Sequence, residues 1–120
     1  MANEPPQLPL RLPNAEHAII PQAKLCDYLL SVTHPVGRFK AAFFATFGYT
    51  IENWEQLQLD LLQFVQSGIA LPGQGSPYGR KYEVRGTLVG PSGRRANLVT
   101  VWIVLSGESY PLFVTAFPGE

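Results

Sequence analysis

Cysteine and long apolar runs are what this sequence has least of. Cys26 is the only cysteine, so the chain cannot close a disulfide on itself, and one thiolate does not make a metal cluster. No apolar run approaches the roughly 20 residues of a membrane helix. The first 13 residues are rich in proline and lack the apolar stretch of a signal peptide. We therefore expect a cytoplasmic protein that does not enter a membrane and needs no metal or other cofactor.

Net charge is lacking as well, since nine basic and nine acidic residues cancel. This balance excludes a protein that attracts nucleic acid through its overall charge. Segment 80–95 differs from the rest, because its basic residues are Arg80, Lys81, Arg85, Arg94 and Arg95 and its one acid is Glu83. We predict that these basic side chains form one positive surface, with Arg80, Lys81 and Arg85 as substrate-binding candidates. Ordinary solvated surface charge is the competing interpretation.

The residues that are present have the composition of a folded domain, with 46% hydrophobic and 15% charged residues. Prolines cluster in residues 1–13, which are expected to form an extended arm. A length of 120 residues fits one domain. Residues 14–120 are therefore expected to form a single domain.

Helical periodicity predicts three helices in the first half, over residues 22–31, 37–47 and 53–66. Gly48 and Gly68 follow the second and third helices, where glycine commonly ends a helix. The apolar faces expected to point inward are formed by Leu25, Tyr28 and Leu29 in the first helix, by Phe39, Ala42, Phe43, Ala45 and Phe47 in the second, and by Leu57, Leu61, Phe64 and Val65 in the third.

Strand patterns fill the second half. They predict a half-buried strand over 80–89, a central strand that is apolar on both faces over 96–105, and a last strand over 111–117. Glycines and prolines indicate a loop over 71–79, and residues 17–20 are interpreted as a short first strand. The sequence thus predicts an α+β fold, with N-terminal helices packed on a C-terminal antiparallel β-meander. The expected core residues are Phe43, Leu57, Leu61, Tyr82, Val84 and Trp102.

Five segments carry a resemblance to known proteins: Lys24–Ser31, His34–Lys40, Pro77–Tyr82, Thr100–Trp102 and Val114–Pro118. They resemble a bacterial family, common in cyanobacteria, that is catalogued as a domain of unknown function. The resemblance covers almost the whole chain from about Asn14. Relatives tend to have tyrosine before the final proline, where this chain has Phe117.

The order of helices and strands and the ending Thr115–Pro118 also resemble the barnase–EndoU–colicin–RelE ribonuclease superfold. This resemblance implies a toxin-type ribonuclease whose active site lies on the open sheet face and uses His, Lys, Arg and Ser, Thr or Tyr. It also implies RNA as a substrate and a small immunity or antitoxin protein as a partner.

Metal-independent RNA cleavage needs a base for the 2′-hydroxyl, an acid for the leaving oxygen and cations for the anionic phosphorus. His34 is the candidate base or acid, because an unperturbed imidazole titrates near neutral pH and His34 precedes a predicted helix N-terminus, which favours phosphate. Lys40 and Arg38 follow it as cations. Thr115, placed between Phe113 and Phe117 on one strand face, is a candidate phosphate donor.

Each assignment has a structural alternative. His34 precedes Pro35 and is also suited to cap a helix, Arg38 and Lys40 can be ordinary exposed charges, and Thr115 can bond within the sheet. The alternative function is a non-catalytic module that binds protein or nucleic acid through segment 80–95. A single pocket that holds His34, Lys40 and Thr115 would favour an enzyme, and scattered positions would favour the binding module.

Overall fold

The computed structural model describes residues 10–119, in which helices precede a four-stranded antiparallel sheet. The helices are α1 (Gln22–Lys24), which continues as a π-helical turn (Leu25–Leu29), α2 (Gly37–Ala45) and α3 (Trp54–Ser67), and short 3-10 turns occupy Ala15–His17 and Ile51–Asn53. The strands are β1 (Ile69–Ser76), β2 (Gly79–Val89), β3 (Arg95–Leu105) and β4 (Leu112–Pro118), side by side in that order. The predicted α+β fold is confirmed. No helix in this range is long and apolar enough to cross a membrane.

The core lies between α3 and one face of the sheet. The predicted face of α3 is buried, and it packs with β2 and β3. Of the expected core residues, Leu57, Leu61, Val84 and Trp102 are fully buried, and Phe43 and Tyr82 are partly buried against the same cluster. The indole of Trp102 donates to the Thr100 hydroxyl at 2.8 Å, and that hydroxyl donates to the Val84 carbonyl at 3.1 Å. The buried polar groups between β2 and β3 are thus paired, as burial requires.

Helix α2 presents a different face to the core from the one expected. Phe47 is buried as expected, but Phe39 is 67% exposed, and Ala41 and Phe44, which were not expected, are buried. The predicted face was wrong in part because it grouped aromatic residues without a fixed helix start. The start is set by Gly37, which is buried against the Tyr28 carbonyl, and this position turns Phe39 outward under the Arg38 guanidinium, 4.6 Å from its ring.

Strand β1 replaces most of the loop predicted over residues 71–79. It pairs antiparallel with β2 and is followed by a tight turn at Pro77 and Tyr78. The loop prediction was wrong because proline and glycine do not exclude an edge strand, where one side of the backbone needs no ladder partner. The register shifts between Pro72 and Gly75, so these residues mark an irregular part of the pairing.

The short strand predicted over residues 17–20 is reduced to one parallel bridge between Ile19 and Leu112. The amide of Ile19 donates to the Pro111 carbonyl at 2.9 Å, and the Phe113 amide donates to the Ile19 carbonyl at 3.0 Å. The arm predicted over residues 1–13 lies outside the described residues as far as residue 9. Residues 10–13 are attached to the fold, because Leu12 is buried and the Leu10 carbonyl accepts from the Ala70 amide.

The sheet has a helix-covered face and an opposite face, here called the open face. Lys81, Glu83 and Arg85 lie on the open face of β2, since Val84 between them is buried in the core and side chains alternate along a strand. Their β3 partners are Ile103, Val101 and Val99, respectively. The open face therefore combines two cations and one acid with a row of aliphatic side chains.

A β-bulge decides which face Thr115 occupies. Val101 pairs with Thr115, but the next residue, Trp102, pairs with Phe113, so Val114 is an extra residue in β4. Phe113 is buried on the core face beside Trp102, whereas Thr115 and Phe117 lie on the open face. The expectation that Thr115 shares a face with Phe113 was wrong, because a bulge cannot be read from alternation.

Candidate functional site at the outer edge of strand β4

Polar side chains from four parts of the chain meet at the outer edge of β4. They come from α1 and the π-helical turn, from the segment before α2, from α2 and from β4 itself. We call them the β4-edge cluster: Lys24, Tyr28, His34, Lys40 and Thr115. The cluster includes three residues predicted from the sequence, His34, Lys40 and Thr115. It adds Lys24 and Tyr28, which were not predicted as site residues.

Tyr28 joins the two halves of the cluster. Its hydroxyl is 2.9 Å from the hydroxyl of Thr115, and either oxygen can be the donor. Its ring meets the imidazole of His34 edge to face, with 5.2 Å between the ring centroids. The His34 and Thr115 side chains therefore lie on either side of one tyrosine.

His34 is held as the cap of α2. Its Nδ1 accepts the amide hydrogens of Val36 at 3.0 Å and Gly37 at 2.9 Å, and its own amide donates to the Ser31 hydroxyl at 3.1 Å. An imidazole nitrogen that accepts two hydrogen bonds carries no proton, so the proton of the neutral ring is on Nε2. In this arrangement, His34 can offer a substrate a hydrogen-bond donor at Nε2 but not a proton acceptor.

Gly37 keeps His34 and Tyr28 together. A Cβ at this position would overlap the Tyr28 carbonyl oxygen and lie 3.1 Å from the Tyr28 ring. Glycine thus allows the start of α2 to pack directly on the π-helical turn, while its amide donates to His34. The close approach of the Gly37 backbone to Tyr28 therefore positions both Tyr28 and His34.

The two lysines reach the same strand from different helices. Lys24 Nζ donates to the Val114 carbonyl at 3.2 Å, and Lys40 Nζ donates to the Ala116 carbonyl at 2.9 Å. Each ammonium also lies 5.6 Å from an aromatic ring centroid, Lys24 from Tyr28 and Lys40 from Phe117. Charge on a sheet edge discourages pairing with another chain. An ammonium has three donors, so each lysine retains two for a ligand.

The remaining predicted site residues do not join the cluster. Arg38 is exposed and stacks over Phe39. Lys81 and Arg85 lie on the open face, where Arg85 bonds Glu83 at 2.9 Å. Arg80 lies on the helix-covered side of β2, by strand alternation. The five basic residues of segment 80–95 therefore do not form one surface, because neighbouring residues of a strand point to opposite faces.

Two shallow hollows lie on the open face, lined mainly by residues of β1, β2 and β3. One, of about 220 Å³, is lined by Ile69, Arg85, Thr87, Asn97 and Val99 among others. The second, of about 310 Å³, is lined by Leu71, Lys81, Glu83 and Val101 among others. Val101 is the cross-strand partner of Thr115, so the second hollow and the Thr115 hydroxyl share one side of the sheet.

The chemistry available at the cluster is hydrogen bonding and positive charge. Two ammonium groups, an imidazole Nε2–H and a pair of hydroxyls suit an anion such as a phosphodiester. Among residues 10–119, no three His, Cys, Asp or Glu side chains come together. The side chains gathered here are therefore not the carboxylate, thiolate or multiple imidazole ligands that metal sites use.

Lys24 and Tyr28 had a signal in the sequence. They are four residues apart in a helical segment, so their side chains lie on the same side. Tyr28 was assigned to the core because its spacing matches Leu25 and Leu29. Both leucines are fully buried, whereas Tyr28 is only partly buried. The polar hydroxyl at the end of a largely apolar ring is the feature that distinguishes Tyr28 from the two leucines.

Comparison with known proteins gives a family and a fold. A family model described as a domain of unknown function, DUF6883, matches residues 11–120. The structure is similar to a chain of the contact-dependent growth inhibition toxin–immunity protein complex from Klebsiella pneumoniae 342, with a TM-score of 0.65 and 17% identity over 88% of this chain and 97% of that chain. At this identity, the similarity concerns the fold alone. No curated protein sequence matches the chain.

Proposed function

The chain belongs to the family of domains of unknown function DUF6883, and from its geometry we propose that it is a toxin-type domain that cleaves RNA without a metal ion. One observation carries the proposal: at one edge of the sheet a pair of bonded hydroxyls lies beside two ammonium groups, and the His34 ring packs on the tyrosine of that pair. The similarity of fold to a chain of a growth-inhibition toxin–immunity complex is consistent with a toxin-like domain.

In the proposed reaction, Lys24 and Lys40 bind the non-bridging oxygens of the scissile phosphate. Each has one donor committed to a β4 carbonyl, which fixes the ammonium in place. Fixed cations act most strongly on the transition state, where negative charge at phosphorus is greatest. His34 adds a hydrogen bond from Nε2, as a neutral donor.

The hydroxyls of Tyr28 and Thr115 relay the proton. The 2′-hydroxyl gives its proton to one of them as it attacks phosphorus, and the other gives a proton to the leaving 5′-oxygen. The 2.9 Å hydrogen bond between the two hydroxyls completes the path, so the protein returns to its starting state. The products are an RNA fragment with a 2′,3′-cyclic phosphate and a fragment with a free 5′-hydroxyl.

The RNA on either side of the cleaved bond would run over the open face. Lys81 and Arg85 are the cations on the β2 part of that face, and we assign them contacts with flanking phosphates. Arg38 lies outside this path, on α2 over the ring of Phe39. Because most of the RNA would be held by charge, we expect RNA binding that weakens as the salt concentration rises and shows little sequence preference.

The alternative is a non-catalytic binding module, and one observation favours it. His34 Nδ1, Lys24 and Lys40 already bond the backbone, so each has a structural role without any substrate. In that case the open face, with Lys81 and Arg85, would bind RNA or protein and leave it unchanged.

Incubation of the purified chain with transfer RNA and messenger RNA in excess EDTA distinguishes the two functions. The proposal predicts cleavage and cyclic phosphate ends, and a loss of at least about 100-fold in Thr115→Val, which keeps the shape of the side chain but removes its hydroxyl. Tyr78→Phe, which removes an exposed hydroxyl from the β1–β2 turn, is the control and should cleave normally. Binding without cleavage of any RNA would establish the alternative.

A small immunity-like protein is the partner that we propose for the chain. The support is that the similar fold comes from a toxin–immunity complex. Such a protein would block the reaction by covering the β4-edge cluster and the adjoining open face. It would need acidic groups opposite Lys24, Lys40 and Lys81, because buried ammonium groups require partners.

A further inference from the structure

A third cavity, besides the two hollows on the open face, lies at the edge of the sheet opposite β4, where residues 10–13 pass β1 and β2. We propose that this cavity, here called the nucleotide cleft, binds one nucleotide, with its phosphate between Arg11 and Arg80 and its base against Tyr82. The cleft has a volume of about 350 Å³, which is within the range of small-molecule sites, roughly 300–1,000 Å³. Its other walls include Leu10, Pro13 and Pro72.

The cleft carries two guanidinium groups that have no acidic partner among residues 10–119. Arg80 donates to the Gly73 carbonyl at 2.7 Å, and Arg11 donates to the Gly68 carbonyl at 3.4 Å. The only ion pair found within residues 10–119 joins Arg85 and Glu83, on the other face of the sheet. A guanidinium has five N–H donors, so most of the donors of Arg11 and Arg80 remain for a ligand. Two such cations in one cleft indicate an anion, and a planar fork of donors matches a phosphate.

The walls select an aromatic group next to that anion. Tyr82 is held in β2 opposite the buried Trp102 and is itself partly buried, so its ring has little freedom. Pro13, Pro72 and Leu10 add rigid or apolar surface. Apolar walls of this kind favour a base over water, because a base can stack on the aromatic ring. Inorganic phosphate alone would use the arginines and leave the walls empty.

The nucleotide cleft is independent of the proposed cleavage site. The cleft is formed around β1 and β2, whereas the β4-edge cluster lies at the other end of the strand order. The ligand can come from two sources, a free nucleotide with a terminal phosphate or one residue of an RNA strand with an internal phosphate. The cleft could be occupied in a protein that cleaves nothing, and cleavage could occur with the cleft empty.

Amide chemical shifts of the isotope-labelled full chain test the proposal. AMP should shift the amides of residues 10–12, 70, 71, 73 and 80–82 and bind more tightly than inorganic phosphate or adenosine. Arg80→Gln and Arg11→Gln should each weaken AMP binding by about tenfold or more, the expected loss of a charged hydrogen bond. Arg94→Gln, which removes a guanidinium that stacks on Phe47 elsewhere, is the matched control and should bind normally.

The dinucleotide ApA, which has only an internal phosphate, identifies the source. Tighter binding of AMP than of ApA assigns a free nucleotide, and the reverse assigns an RNA strand, provided that Arg80→Gln weakens both. Three results would overturn the proposal: no shifts around the cleft at millimolar AMP, equal binding of AMP and inorganic phosphate, or equal binding by wild type and Arg80→Gln. The amide spectra themselves report whether each variant is folded.

Discussion

At the scale of single residues, His34 has two roles that one pair of substitutions can separate. Its Nδ1 caps α2 and its Nε2 is the proposed donor to the phosphate. Asparagine can accept the same amide hydrogens and is among the best helix caps, whereas alanine cannot. We expect His34→Ala to lose about 1 kcal/mol of unfolding free energy and His34→Asn only a few tenths. Both should lose RNA cleavage by roughly 10²–10³-fold. Chemical denaturation and the cleavage rate check this, and an active His34→Asn would confine His34 to capping.

Tyr49 gives a prediction that concerns only stability. It is fully buried and its hydroxyl donates to Asp60 at 2.5 Å. Burial, followed by the hydrogen bond to Asp60, raises the pKa of the Tyr49 phenol. The folded state therefore resists an ionisation that the unfolded chain undergoes near pH 10. The contribution of Tyr49 to the free energy of unfolding is then fully present below that pH and is lost as the pH rises above it. The slope for one proton is at most about 1.4 kcal/mol per pH unit.

Replacing Tyr49 with phenylalanine should remove this part of the alkaline loss. Unfolding by urea at pH 8 to 11 measures it, with Tyr78→Phe as a control because Tyr78 is exposed. Equal slopes in wild type and Tyr49→Phe would show that Tyr49 ionises alike in both states.

The residues of the candidate site were partly predictable because residue type indicates chemistry. His34, Lys40 and Thr115 were chosen for that reason, and they do lie near one another. Their partner Tyr28 was taken for a core residue, since periodicity reports which side a residue faces and not where its hydroxyl ends. Helix capping by His34 was the alternative that the sequence offered, and the structure shows it in the two amide hydrogens that Nδ1 accepts.

At the scale of elements, the orientation of α2 is open to a direct test. Phe44 is fully buried and Phe39 is 67% exposed. Phe44→Ala should cost about 3–5 kcal/mol of unfolding free energy, whereas Phe39→Ala should stay within about 0.5 kcal/mol. Denaturant unfolding of the two variants measures the difference, and similar losses would mean that α2 is rotated from this position.

The contact between α2 and the π-helical turn is a second property of the elements. Because a Cβ at Gly37 would overlap the Tyr28 carbonyl, Gly37→Ala should cost roughly 1–3 kcal/mol, as overpacking does. It should also move Tyr28 away from Thr115 and reduce cleavage. Element types were predictable from hydrophobic period, but β1 was not, because its two glycines and its proline are typical of a loop and its pairing is set by β2.

At the scale of the whole molecule, the two faces of the sheet separate charges that are adjacent in the sequence. Lys81 lies on the open face and Arg80 on the other. RNA binding on the open face predicts that Lys81→Gln lowers the slope of log affinity against log salt by about 0.7, the value for one phosphate contact with a single strand. Arg94→Gln should leave the slope unchanged. An unaltered slope in Lys81→Gln would place the RNA elsewhere.

The central claim is that the Tyr28 hydroxyl moves a proton during RNA cleavage, and one measurement tests it most directly. Wild type and Tyr28→Phe are incubated with RNA in excess EDTA, and the rate at which 2′,3′-cyclic phosphate ends form is compared. Phenylalanine keeps the ring that contacts His34 and removes only the hydroxyl that bonds Thr115. The account predicts cleavage by wild type and a loss of roughly 10²–10⁴-fold in a folded Tyr28→Phe. Equal rates in the two proteins, or no cleavage by wild type, would contradict it.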